Sequence, residues 1–129
     1  MVLDSSALLA ILQNEPERRA FNELIERAES RLLSVVSFVE TSIVIAARYG
    51  PEGLQNLDLF LSRAGVALVE VDTEQAGAAR EAFLRFGRGY HPAGLNFGDC
   101  FTYALATVRG ESLLCKGDDF RLTNVVLAS

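Results

Sequence analysis

This sequence predicts an α/β sandwich built on a mainly parallel sheet, and two observations carry that reading. Short aliphatic and β-branched runs alternate with longer stretches of helical apolar periodicity along the whole chain. Acidic residues follow directly after several of those runs, and the carboxyl ends of strands are where such sheets hold their ligands. With 129 residues the chain suits a single domain spanning 1–129.

Met1 to Leu3 reads as a first strand that delivers Asp4 to a turn, and SSALLAIL follows as a helix capped near Ser5 or Ser6. Pro16 breaks the pattern, and Phe21, Leu24, Ile25 and Ala28 make the stripe of a second helix. RLLSVV, from Arg31 to Val36, has the composition of a strand buried in a parallel sheet. Ser37-x-x-Glu40 matches a capping box opening a third helix, with Val39, Ile43 and Ala46 expected inward. Tyr49-Gly50-Pro51 is expected to end it, and Leu57, Phe60, Leu61 and Ala64 mark a fourth helix that stops at Gly65.

Val66 to Val71 alternates as a third strand, and Asp72-Thr73 opens a fifth helix with Ala76, Ala79 and Phe83 inward. Gly87 to Gly94 is the most irregular segment and is expected to be a mobile loop. The stretch LNFGDCFTYALATVRG then forms a helix with Phe101, Ala104, Leu105 and Val108 on one face, capped by Asn96. Ser112 to Cys115 is a fourth strand, Lys116 to Phe120 a turn, and Val125 to Leu127 a last short edge strand.

Composition excludes several function classes. No apolar run approaches the ~20 residues of a membrane span, and the start lacks the basic region of a signal peptide, so a soluble, cytoplasmic protein is expected. Cys100 and Cys115 have no zinc-like spacing, and His91 is the only histidine, which rules out mechanisms needing a histidine pair. Neither GxxxxGK[ST] nor GxGxxG occurs. The net charge of −5 disfavours unaided binding to a polyanion, but a nuclease that meets phosphate through metal ions takes its positive charge from the cation.

Asp4, Glu40 and Asp118 or Asp119 each follow a predicted strand, and Asp99 begins a helix able to pack over the same edge. Like charges so gathered repel, and hard divalent cations relieve that repulsion with oxygen ligands. Metal binding is therefore expected, with one or two Mg²⁺ or Mn²⁺ ions activating water and stabilising a leaving oxygen at phosphorus. Two of the acids also have a local role open to them. Asp99 can complete an Asn96-x-x-Asp99 cap, and Glu40 the box begun by Ser37.

MVLDSSALLAIL, SVVSFVETSIV, LNFGDCFTYALA and LLCKGDDF, in this order and spacing, resemble the PIN-domain ribonucleases, in particular the VapC-type toxins of bacterial toxin–antitoxin modules. The resemblance covers nearly the whole chain. It implies a PIN-like three-layer sandwich, with helices on both sides of a central mainly parallel sheet. It further implies an Mg²⁺-dependent or Mn²⁺-dependent endoribonuclease that cuts tRNA, rRNA or mRNA to arrest translation. Its partners would be a second copy of the chain, in a homodimer, and a VapB-type antitoxin that sets an arginine over the acids within a larger assembly. The metal-binding acids carry over to Asp4, Glu40 and Asp99, with Ser6 as the hydroxyl that supports the first acid. Many relatives have T-x-D-x-D-F at the fourth acid, whereas Cys115 and Gly117 stand at the Thr and first Asp positions here, so Asp118 or Asp119 takes that role.

Arg80, Arg85, Arg88 and His91 are candidate RNA contacts, although they share no single helical face. Two rival readings remain at this stage. One is a PIN fold that binds partners without cutting. The other is a haloacid-dehalogenase-like phosphatase with Asp4 as nucleophile and Lys116, the only lysine, assisting; Ser6 stands where its second Asp is needed.

Overall fold

The computed structural model describes residues 1–129. Strands β1 (Val2–Leu3), β2 (Leu32–Ser34), β3 (Ala67–Val69) and β4 (Leu113–Leu114) form one parallel sheet in the order β3-β2-β1-β4. Helices α1 (Ser5–Leu12), α2 (Arg18–Arg27), α3 (Val35–Arg63), α4 (Thr73–Phe86) and α5 (Phe97–Arg109) connect and cover it. Successive strand residues point to opposite faces. Val2 and Leu113 therefore join a core with Ala82, Phe86, Tyr103 and Leu105 of α4 and α5. Leu3 and Leu114 join another with Leu8, Ile11, Ile25, Leu57 and Leu61 from α1 to α3. The result is the expected three-layer sandwich. No helix is long and apolar enough to cross a membrane.

The chain runs β1, β2, β3 outward on one side and returns to place β4 on the other side of β1. This reversal is a topological switch point, and the crevice beyond the carboxyl ends of β1 and β4 is the natural ligand position.

Several local expectations need correction. The second strand stops at Ser34, which caps α3 by accepting the Val36 N–H at 3.2 Å. The helix thus begins two residues before Ser37, and no Ser37-x-x-Glu40 capping box forms. This earlier start also sets the rotation of the helix. Ser37, Thr41 and Ile45 face inward, while Val39, Ile43 and Ala46 face solvent, Ile43 being 64% exposed. On α4 the buried face is Gln75, Ala79, Ala82 and Phe86, so of the expected trio only Ala79 is buried and Ala76 and Phe83 line a surface cleft.

The break expected at Tyr49-Gly50-Pro51 is present: Gly50, at φ 67° and ψ −155°, is non-helical and divides α3 into two helical halves that meet at a corner. Val125 to Leu127 contributes one parallel bridge, Leu113 to Leu127, rather than a strand. Gly87 to Gly94 is irregular, as expected, and is closed at its base by backbone bonds from Arg88 N–H to Leu95 O at 3.0 Å and from Leu95 N–H to Phe86 O at 2.9 Å.

The Gly50 conformation lies in a region that is essentially glycine-only. No atom would come within 4 Å of a Cβ there, so the penalty for a side chain is purely a backbone one. Gly50→Ala should destabilise the chain by about 1–3 kcal/mol in urea unfolding without changing the m-value.

Candidate active site

Asp4 ends β1 and caps α1, and it is 3% exposed. Its Oδ2 accepts the Ser6 N–H at 3.1 Å and the Ser6 hydroxyl at 2.6 Å. Its Oδ1 accepts the Thr102 hydroxyl at 2.8 Å, from α5. The Ser6 Oγ in turn accepts the Lys116 N–H at 2.9 Å, tying the first acid across the switch point to the turn after β4.

Asp99 is the third residue of α5. It completes a capping box in which Asn96 Oδ1 accepts the Asp99 N–H at 2.9 Å and Asp99 Oδ2 accepts the Asn96 N–H at 3.0 Å. The local role open to Asp99 is therefore real, yet it does not exclude a second one. Burial lifts its carboxyl to about 6; the Asn96 N–H opposes this, Asp4 and Asp119 add to it, and Arg88 draws it down. Glu40, on α3, is also raised, first by burial and then by Asp4 and Asp99, with a hydrogen bond from Ser5 opposing. Its carboxylate lies against the α5 backbone at Gly98, where a Cβ would stand 2.0–2.2 Å from the carboxyl atoms.

The Cys115 thiol reports on the same cluster. Burial pushes it up to about 12, and Asp4, Asp99 and Asp119 all contribute in the same direction. The two adjacent aspartates in the β4 turn are thereby separated. Asp119 shares the electrostatic neighbourhood of Asp99 and Cys115. Asp118 has its side chain 77% exposed and pairs with Arg121 at 3.2 Å.

Among the four candidate RNA contacts, Arg88 is the one whose charge reaches the acids. Arg80 lines the cleft between α4 and α5, and Arg85 stacks its guanidinium 4.7 Å from the Phe86 ring centroid. His91 braces its own loop, with Nδ1 accepting the Ala93 N–H at 3.0 Å and its ring edge-on to Phe86. Sequence reasoning missed Gly98, Thr102 and Ser37. A threonine three residues after Asp99 on an otherwise apolar helical face was the available signal for Thr102.

The donors gathered here are all carboxylate oxygens, hard and mutually repulsive, which suits Mg²⁺ or Mn²⁺. No three His, Cys, Asp or Glu side chains stand as a closed ligand cluster. Mg²⁺ typically takes only one or two carboxylates beside its waters, so the residues present fit such an ion. The phosphatase reading loses its lysine, because Lys116 Nζ pairs with Glu15 at 3.0 Å and Glu17 at 3.3 Å on the α1–α2 connection.

A parallel sheet with a buried Asp4 and the half-buried Glu40 and Asp99 near its switch point places the chain among small α/β proteins with an acidic crevice. The PIN domain family model matches residues 1–125. The chain is 54% identical to a ribonuclease VapC of Mycolicibacterium smegmatis over 97% of both chains. It is 50% identical to ribonuclease VapC30 of Mycobacterium tuberculosis, over 97% of this chain and 95% of that one. A crystal structure of VapC20 from Mycobacterium tuberculosis, a sarcin–ricin loop cleaving toxin, superposes with a TM-score of 0.78 at 16% identity, over 97% of this chain and 95% of that one. VapBC2 from Rickettsia felis, bound to a promoter DNA fragment, gives 0.78 at 14% identity, over 98% and 95%. The chain belongs to the PIN-domain family, among the VapC ribonucleases.

Two outcomes follow from the site. In Gly98→Ala the new methyl meets the end of a flexible side chain, so Glu40 should swing off α5 in a crystal structure. The melting temperature should stay within about 3 °C, since alanine favours a helix over glycine. Asp99 is less acidic folded than unfolded, so the folded chain holds the extra proton between the usual carboxylate range and about pH 6. Stability of the metal-free protein therefore falls as pH rises through that window, and the penalty is complete above it. In EDTA at pH 7.5, Asp99→Asn should melt a few degrees above the parent, about 1 kcal/mol after solvent screening, with the gap narrowing below about pH 6 and closing below about pH 4.

Proposed function

We propose that this chain is a divalent-cation-dependent endoribonuclease toxin that acts on cellular RNA in the cytoplasm and is neutralised by a VapB-type antitoxin. The carrying observation is that Asp4, Glu40, Asp99 and Asp119, from four separate segments, share one partly buried electrostatic neighbourhood at the carboxyl edge of the sheet. Repulsion of this kind persists in a fold when an opposite charge is expected there.

Asp4, Asp99 and Glu40 would hold Mg²⁺ or Mn²⁺, with Asp119 as the fourth acid. When bound, such a cation supplies positive charge to the phosphate and activates water for attack at phosphorus. The chain's own residues supply placement. Ser6 and Thr102 hold Asp4 in a fixed orientation. The bare backbone at Gly98 lets the Glu40 carboxylate approach α5. Arg88, exposed beside Asp99, is the basic group placed to meet a phosphate oxygen.

Protein partners have surface available. Val39 and Ile43 form an exposed apolar stripe on α3, and Ala76, Phe83, Phe97 and Phe101 line an open cleft of about 400 Å³ between α4 and α5. These support docking of a second copy of the chain and of an antitoxin whose arginine would substitute for part of the cation charge. A similar fold occurs in the DNA-bound VapBC of Salmonella typhimurium.

Cleavage of total RNA by the purified, antitoxin-free chain tests the reading. Discrete fragments should appear with Mn²⁺ or Mg²⁺ and vanish with EDTA or in Asp99→Asn. A chain that binds Mn²⁺ yet cuts neither total RNA nor isolated tRNA and rRNA would instead be a PIN fold that only binds partners.

A further inference from the structure

The donors around Asp4 can be counted. A carboxylate offers about four lone-pair directions. The Ser6 N–H and hydroxyl occupy both on Oδ2, at 3.1 and 2.6 Å, and the Thr102 hydroxyl occupies one on Oδ1, at 2.8 Å. One direction, on Oδ1, is left.

The same count fixes the direction of a second bond. Ser37 Oγ and Thr102 Oγ1 lie 3.0 Å apart, and both residues are fully buried. Thr102 has a single hydroxyl proton, which it gives to Asp4, and an ionised carboxylate has none to return. Ser37 must therefore donate to Thr102. The chain of donation runs from Ser37 on α3, through Thr102 on α5, to Asp4 at the end of β1, and it draws three elements onto one oxygen.

We infer that Ser37 and Thr102 are positioning residues, a two-hydroxyl relay that orients Asp4 and leaves it a single lone pair, so that it serves as a one-point ligand. This rests on the reading of Asp4 as a cation ligand given above. Neither hydroxyl touches substrate. Both act through the carboxylate, as groups behind a ligand commonly do.

Calorimetric titration with Mn²⁺, alongside melting temperatures in EDTA, tests the relay on the parent chain and on Thr102→Val, Thr102→Ser and Ser37→Ala. Thr102→Val keeps the shape and removes the donor, and it should weaken Mn²⁺ binding by about 10- to 100-fold. Thr102→Ser restores the hydroxyl and should bind within about 3-fold of the parent, with Ser37→Ala falling between the two. A purely structural hydroxyl pair would shift melting temperatures and leave Mn²⁺ affinity as in the parent in every folded variant; that result overturns the relay alone. If Thr102→Val does not fold, parent-like affinity in Ser37→Ala overturns it. A parent chain that takes up no Mn²⁺ overturns the cation reading and the relay together.

Discussion

Mutual repulsion among carboxylates is the constraint on which the rest of this structure depends. Asp4 stands almost without solvent beside Glu40 and Asp99, and no basic side chain bonds to it. Neutral donors hold it instead. Amide and hydroxyl groups stabilise a carboxylate without cancelling its charge, so Asp4 stays fixed while the repulsion among the acids is preserved. A lysine or arginine at the same positions would satisfy Asp4 and relieve that repulsion. Lys116, the chain's only lysine, is engaged by Glu15 and Glu17 on the α1–α2 connection.

Topology explains how residues as distant as Asp4 and Asp119 come together. The strands are only two or three residues long, so each reaches the carboxyl edge almost at once. Because β4 returns beside β1, the residues that follow both strands face one crevice. Ser6 spans it, giving a proton to Asp4 and accepting one from the Lys116 amide. Helix α5 closes the third side, and its apolar residues are buried on most of its circumference. The carboxylates therefore rest on the most deeply packed helix of the molecule.

Apolar surface is distributed unevenly over the helices. The stripes of α2 and of the second half of α3 are largely absorbed into the core beneath them. The surplus lies on the first half of α3 and between α4 and α5, where Ile43 and Phe97 are 64% and 73% exposed. Both patches adjoin helices that also carry site acids, so a protein docked on either would stand close to the site.

The α/β class, the parallel sheet, the succession of helices and the gathering of Asp4, Glu40 and Asp99 near one sheet edge could be read from residue order, because strand composition, helical periodicity and the punctuation of Pro16 and Gly65 are local signals. The rotation of α3 could not. It depends on where the preceding strand stops, and the stop at Ser34 rather than Val36 turns Val39 and Ile43 outward and Ser37 inward. The separation of Asp118 from Asp119 was equally hidden, since neighbours in an irregular turn carry no periodicity and only the packing of that turn against β1 and α5 distinguishes them. Gly98 and Thr102 acquire meaning solely through Glu40 and Asp4, residues about 60 and 100 positions away in the chain. Contacts between distant segments are written in three dimensions, where burial and charge decide which side chains must meet.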